Sequence, residues 1–136
     1  MQPISSDAQT QNRAARAFSL SMPGLILRLE GLAVFLGSVV LYVDQGWSGW
    51  VFAVLLFAPD LAMVGYMRDT RSGARIYNVF HFYALPLVLL IAAYLAGFAA
   101  GMQIAAIWLA HIGLDRVLGY GLKYDTAFKD THLQRV

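Results

Sequence analysis

Residues 74–96 read ARIYNVFHFYALPLVLLIAAYLA, and from Ile76 to Ala96 there is no Lys, Arg, Asp or Glu. At 1.5 Å per helical residue such a run matches the hydrocarbon thickness of a bilayer, about 30 Å. Lipid offers no partner to a free backbone N–H or C=O, so a run of this kind spans as a helix. Three more runs of spanning length flank it: about Pro23–Val43, Trp50–Met67 and Met102–Tyr120. The expectation is an all-α, polytopic membrane protein built as a four-helix transmembrane bundle. Pro23 suits a first helical turn. Pro59 and Pro86 fall inside spans, where each is expected to kink its helix and free a carbonyl near a polar residue.

The composition agrees. Of 136 residues, 59% are hydrophobic and 13% charged, about half the ~25% charged fraction of an average soluble domain. Mean hydropathy is +0.58. The absence of cysteine excludes a disulfide scaffold, zinc ribbons, iron–sulfur ligation and a thiol nucleophile. A net charge of +2 is too small for a nucleic-acid surface. No glycine-rich phosphate loop, serine nucleophile elbow or dinucleotide fingerprint occurs. The helix pairs share no matching polar residues, which argues against an inverted-repeat transporter.

The short connections set an orientation. Asp44–Gly49 carries one acid and no base, and Gly97–Gly101 carries no charge. Arg68–Gly73 carries Arg68 and Arg71, with Arg75 just beyond. With four spans, all ten Lys and Arg fall on one side, which the positive-inside rule makes cytoplasmic, with both termini inside. The expected location is the bacterial inner membrane, multi-pass. Trp47 and Trp50 suit the outer interface, and Tyr66, Tyr77 and Tyr120 the inner one. Residues 1–22 read as a disordered tail whose stretch from Arg13 to Met22 suits a basic amphipathic segment; nothing there reads as a cleaved signal peptide. Residues 23–124 form the transmembrane domain, and 125–136 a cytoplasmic tail.

Ionisable residues inside spans cost roughly 2.5–3.5 kcal/mol each and mark function by default. Here they are Glu30, Asp60, His81, His111 and Asp115. Counted from the cytoplasmic ends, Glu30, Asp60 and His81 each lie roughly 10 Å deep, with His111 and Asp115 at roughly 13 and 8 Å. His111 and Asp115, four apart, stack on one helical face, and Tyr77, Asn78 and His81 share another. Gly31, Gly37, Ser38, Gly65 and Gly113 would let the helices approach closely.

Carboxylates and imidazoles at one depth suit a divalent metal such as zinc, manganese or iron, with Glu30, Asp60, His81, His111 and Asp115 as candidate ligands. Asp60, His81, His111 and Asp115 are then the candidate catalytic groups, acting on a lipid or isoprenoid that enters sideways. Haem between His81 and His111 is a minor version of this reading. The same residues would also serve a small proton-coupled carrier. A third reading is a membrane scaffold whose polar layer only fixes helix register, with Glu30 paired to Arg28 or Arg116. Lys123 is placed at headgroup level, where it would meet lipid phosphate. His132 would have to fold back to reach the layer. Membrane lipids are the expected partners, and a homo-oligomer fits a bundle that buries little within itself.

Three segments carry a resemblance: Pro59-Asp60-Leu61-Ala62-Met63-Val64-Gly65-Tyr66; Tyr77-Asn78-Val79-Phe80-His81 with Tyr83 and Pro86; and His111-Ile112-Gly113-Leu114-Asp115-Arg116 through Gly119-Tyr120-Gly121-Leu122-Lys123-Tyr124, closed by Phe128, Thr131, His132 and Leu133. From about residue 24 onward the chain resembles an uncharacterised family of small bacterial integral membrane proteins, a domain of unknown function. The last segment is the most specific. The resemblance implies a four-span bacterial membrane protein and brings no activity with it.

Overall fold

The computed structural model describes residues 21–136. The expected polar tail and most of the basic amphipathic stretch, up to Leu20, lie outside the described residues. The chain runs through α1 (Met22–Asp44), α2 (Gly49–Leu55), a 3-10 helix (Ala58–Met67), α3 (Thr70–Phe80), α4 (Ala84–Leu95), α5 (Ala99–Leu118) and α6 (His132–Arg135). No strand forms among the described residues; a single antiparallel bridge joins Lys123 to Thr131.

Local chemistry accounts for the ends. The Ser21 hydroxyl accepts the Gly24 N–H at 3.1 Å and Pro23 sits in the first turn of α1, where its missing donor is not needed. The Asp69 carboxylate accepts the Ser72 N–H at 2.7 Å and starts α3. Gly119, at φ +94°, ends α5 in a left-handed turn that returns the Tyr120 N–H to Asp115 O.

Two of the expected spans are broken. Pro59 cannot donate to the carbonyl four residues back, and from Ala58 the chain tightens into ten residues of 3-10 helix. Such runs are usually three or four residues long. The third span breaks over His81–Tyr83, and Pro86 begins α4 from its first turn rather than kinking a continuous helix. The side chains recapture the carbonyls this exposes. His81 Nδ1–H donates to Tyr77 O at 2.8 Å, Trp108 Nε1–H to Phe80 O at 2.7 Å, and Arg116 Nη2 to His81 O at 2.8 Å.

Met22–Asp44, Gly49–Met67 and Thr70–Leu95 are long and apolar enough to cross a membrane. They expose large apolar side chains along their lengths, among them Leu29, Leu36, Val54, Leu61, Val88 and Leu95, which suits lipid rather than water. α5, the expected fourth span, is less apolar because it carries Gln103, His111, Asp115 and Arg116. It is the central helix: His111, Ile112 and Arg116 are buried, and α1 and α4 pack against it. α1 and α5 meet backbone to backbone. A Cβ on Gly113 would stand 2.6 Å from Gly31 O and 2.7 Å from Phe35 N.

At the far end Gln103 donates to Tyr42 Oη at 2.8 Å, and Tyr42 donates to Ser48 O at 2.7 Å. The chain after α5 folds back onto the bundle, burying Lys123, Thr131 and Leu133.

Candidate metal centre

Three elements meet around His81. The 3-10 helix brings Asp60, the break after α3 brings His81, and one face of α5 brings His111 and Asp115. Both imidazoles are fully buried, at 0% and 1% exposure. One donor atom from each of these residues falls within 4.8 Å of all the others. His81 Nε2 lies 3.0 Å from His111 Nε2, 3.5 Å from Asp60 Oδ1 and 3.6 Å from Asp115 Oδ2. His111 Nε2 lies 3.4 Å from Asp60 Oδ1 and 3.5 Å from Asp115 Oδ2.

These lengths have a particular meaning. A tetrahedral ion about 2.0–2.1 Å from each donor sets donor–donor edges of about 3.3–3.4 Å. The five edges just given lie on either side of that value. A hydrogen-bonded network would instead pull each imidazole N–H to about 2.7–2.9 Å from a carboxylate oxygen. Neither carboxylate is that close to a ring nitrogen; the one contact of hydrogen-bond length among the four donors joins the two imidazoles, at 3.0 Å.

A backbone carbonyl sets the tautomer of His81, while the buried Nδ1 of His111 has no partner among the described residues. His81 Nδ1 donates to Tyr77 O, so in the neutral ring the Nε2 lone pair points at the other donors, the usual arrangement behind a metal-bound histidine. Tyr77 reaches the centre twice more. Its ring stacks on His81 with centroids 3.6 Å apart at 10°, and its hydroxyl donates to Asp115 Oδ2 at 3.2 Å. Among the described residues no Lys or Arg lies within 4.0 Å of the Asp60 or Asp115 carboxylate. With both imidazoles neutral, the two carboxylates would leave a charge that a divalent cation cancels. Trans axial imidazoles on a haem iron stand about 4 Å apart with a macrocycle between them. Rings 3.0 Å apart at nitrogen, with two carboxylates beside them, leave no room for one.

Glu30 stands apart from this group. Gly31 faces Gly113 and Arg116 on α5, and one residue is a 100° turn of the helix, so Glu30 is exposed on another face of α1. It makes no ion pair with Arg28 or Arg116 among the described residues. Arg28 donates to Val117 O at 2.9 Å, and Arg116 to His81 O and Tyr120 O. The polar layer is therefore built from three elements, not four.

Lys123, expected at headgroup level, is turned inward. Its ammonium donates to Phe128 O at 2.7 Å and lies over the rings of Phe128 and Tyr77, 3.3 and 4.6 Å from their centroids. Burial pushes it below the usual lysine value. Asn78 clamps the Lys123 backbone, donating to its C=O at 2.8 Å and accepting its N–H at 2.7 Å. His132 folds back but does not join the centre; its Nδ1 accepts the Leu122 N–H at 2.8 Å. Tyr77, expected at the inner interface, is buried behind the centre instead. Its position one turn before His81 was the available signal. The part played by Arg116 had none, because its target is a carbonyl exposed only by the helix break.

The chain belongs to a family described as a domain of unknown function (DUF4260). The match covers residues 24–136, so this DUF4260 chain carries the whole centre and the folded-back C-terminal segment inside the family region. Comparison with curated proteins and with solved structures finds no match.

Proposed function

We propose that this protein is a membrane-embedded divalent-metal protein. Its centre is held by Asp60, His81, His111 and Asp115 and acts on a lipid-like substrate. The observation that carries this reading is the ligand geometry: four donor atoms from three elements within 4.8 Å of one another, with five of their six separations at 3.0–3.6 Å. Zinc, manganese or iron(II) would supply Lewis acidity and a water of lowered pKa. The chain's own groups would do the rest. His81 is oriented by Tyr77 O, Asp115 by the Tyr77 hydroxyl, and Asp60 is the exposed member, with its side chain 30% accessible.

The same reading places four spans in the bilayer, α5 innermost, with both termini on the cytoplasmic side of a bacterial inner membrane. Several contacts support a common end for the basic residues. Arg71 Nε pairs with Asp125 at 3.2 Å, Arg28 bonds to Val117 O, and Val136 packs near Gly24. A proton-coupled carrier would need a polar route to the other face. The polar groups there, Gln103 and Tyr42, are already spent on each other and on Ser48 O.

The test is metal content. Protein purified in mild detergent, measured by mass spectrometry, is expected to carry near one divalent ion per chain, and the His81→Ala/His111→Ala double variant none. An absorbance scan of the same samples should show no Soret band. Failure to take up zinc, manganese or iron(II) after reconstitution overturns the proposal.

A further inference from the structure

Beside the centre lies an apolar cavity of about 290 Å³ between α2, the 3-10 helix, α3 and α5. α2, whose Leu55 lines it, buries no residue of its own. Its walls include Leu55, Pro59, Phe80, Ile104, Ile107 and Trp108. The single side-chain polar atom among them, Trp108 Nε1, is already committed to Phe80 O at 2.7 Å. Leu55, Phe80 and Ile104 are exposed, so the mouth opens sideways through apolar surface. Pro59 and Phe80 immediately precede Asp60 and His81, and Ile107 and Trp108 lie one helical turn before His111.

We infer that this cavity holds one hydrocarbon chain of a membrane lipid and that the substrate of the centre is an acyl lipid whose polar end meets Asp60. A wall without a free donor or acceptor gives a polar ligand nothing to bind. An extended peptide segment would bring N–H and C=O groups that this wall leaves unpaired. Water is disfavoured for the same reason, since apolar cavities stay dry. In a bilayer, the slender apolar group at a lateral opening is a lipid chain. Its burial costs no polar desolvation, and the wall residues Pro59 and Phe80 adjoin Asp60 and His81 in the chain, with Trp108 one turn before His111. That the lipid is a substrate rests on the proposed metal centre; occupancy of the cavity by a chain does not.

The probe is Trp108. With Trp47→Phe and Trp50→Phe in place, Trp108 is the sole tryptophan. The protein is reconstituted in phosphatidylcholine vesicles containing a rising fraction of dibrominated acyl chains, and its fluorescence quenching is recorded. Ala58→Phe fills the cavity from the 3-10 side and Ile104→Phe narrows its mouth. Each variant is kept only if it retains the parent's thermal transition. We expect either filled variant to lose at least half of the quenching. Undiminished quenching in a folded variant overturns the inference, because it would then come from lipid around the protein. Metal content is measured on the same samples. Lost quenching in the filled variants with no metal in the parent leaves the chain site standing and ends its role as a substrate site. One metal per chain with unchanged quenching retains the centre and ends the lipid assignment.

Discussion

Tyr77→Phe removes one oxygen and little else. The phenyl ring keeps its stacking on His81 at 3.6 Å, and the Tyr77 carbonyl still accepts His81 Nδ1–H. Only the bond from the hydroxyl to Asp115 Oδ2, at 3.2 Å, disappears. Hydrogen bonds that orient a ligand are worth about 10–100-fold in metal affinity, or about 1.4–2.8 kcal/mol. A hydroxyl–carboxylate bond of full strength is about 2.5–2.7 Å long, so the longer one here belongs at the lower end. We expect about a tenfold weaker zinc affinity, against outright loss of binding in His111→Ala. The assay is competition with a chromophoric zinc chelator in detergent, at one pH because the ligands must be deprotonated to bind. Thermal unfolding of the metal-free proteins is followed by circular dichroism in parallel. Unchanged affinity would refute the role given to the hydroxyl. Loss as complete as in His111→Ala would show that the ring, not the oxygen, is what the centre needs. Absence of zinc uptake together with a lower metal-free transition would identify the layer as a register device.

Three further substitutions probe the scaffold. Gly113→Ala places a methyl 2.6 Å from Gly31 O and should cost about 1–3 kcal/mol in thermal or denaturant unfolding; Gly37→Ala, with nothing within 4 Å, should gain about 0.5–1 kcal/mol. Pro59→Ala should let α2 continue as an α-helix and turn Asp60 away from His111, weakening zinc binding without lowering the thermal transition; equal affinity would show that the 3-10 register does not place Asp60. Burial and the nearby Arg116 guanidinium hold His132 below the ordinary imidazole value. Its contribution is therefore present above the unfolded value of about 6.5 and lost as pH falls below it. His132→Gln should flatten that part of the stability–pH profile, and an unchanged slope would clear His132 of it.

Much of this was legible because long apolar runs leave few alternatives to helix. The apolar runs gave helices whose outer ends lie close to the expected ones, Met22–Asp44 against Pro23–Val43 for the first. Depth counted from one face brought Asp60, His81, His111 and Asp115 to one level, and the structure joins those residues. Depth says nothing about rotation, which is why Glu30 was grouped with them. The face of α1 that meets α5 is decided by Gly31, and a helix that turns its glycine inward turns the neighbouring glutamate away. The breaks were legible as prolines but not as geometry. Pro86 marked the third span, yet the chain opens at His81–Tyr83, before the proline, so that its first turn can start α4. Lys123 was misplaced for a related reason. A lysine after a helix end suits a headgroup until the chain returns over it, and Asn78 and Phe128, far apart in sequence, make that return.

The two breaks and the centre are one piece of construction. A continuous helix keeps its carbonyls for itself, so it has none to offer a side chain. Opening the third span frees Tyr77 O to orient His81 and His81 O to anchor Arg116. Opening the second sets Asp60 on a 3-10 turn beside the cavity. The consequence is an uneven ligand set. His81 is held from behind by Tyr77 O, and Asp115 by the Tyr77 hydroxyl. The Asp60 carboxylate has no hydrogen-bond donor among the described residues, and its side chain is 30% exposed against 13% for Asp115. Four protein donors close a tetrahedral ion, and a reactive one needs an open position. Within the proposed centre Asp60 is the more exposed of the two carboxylates and the one without a donor, so its release would open the position that a reactive ion needs.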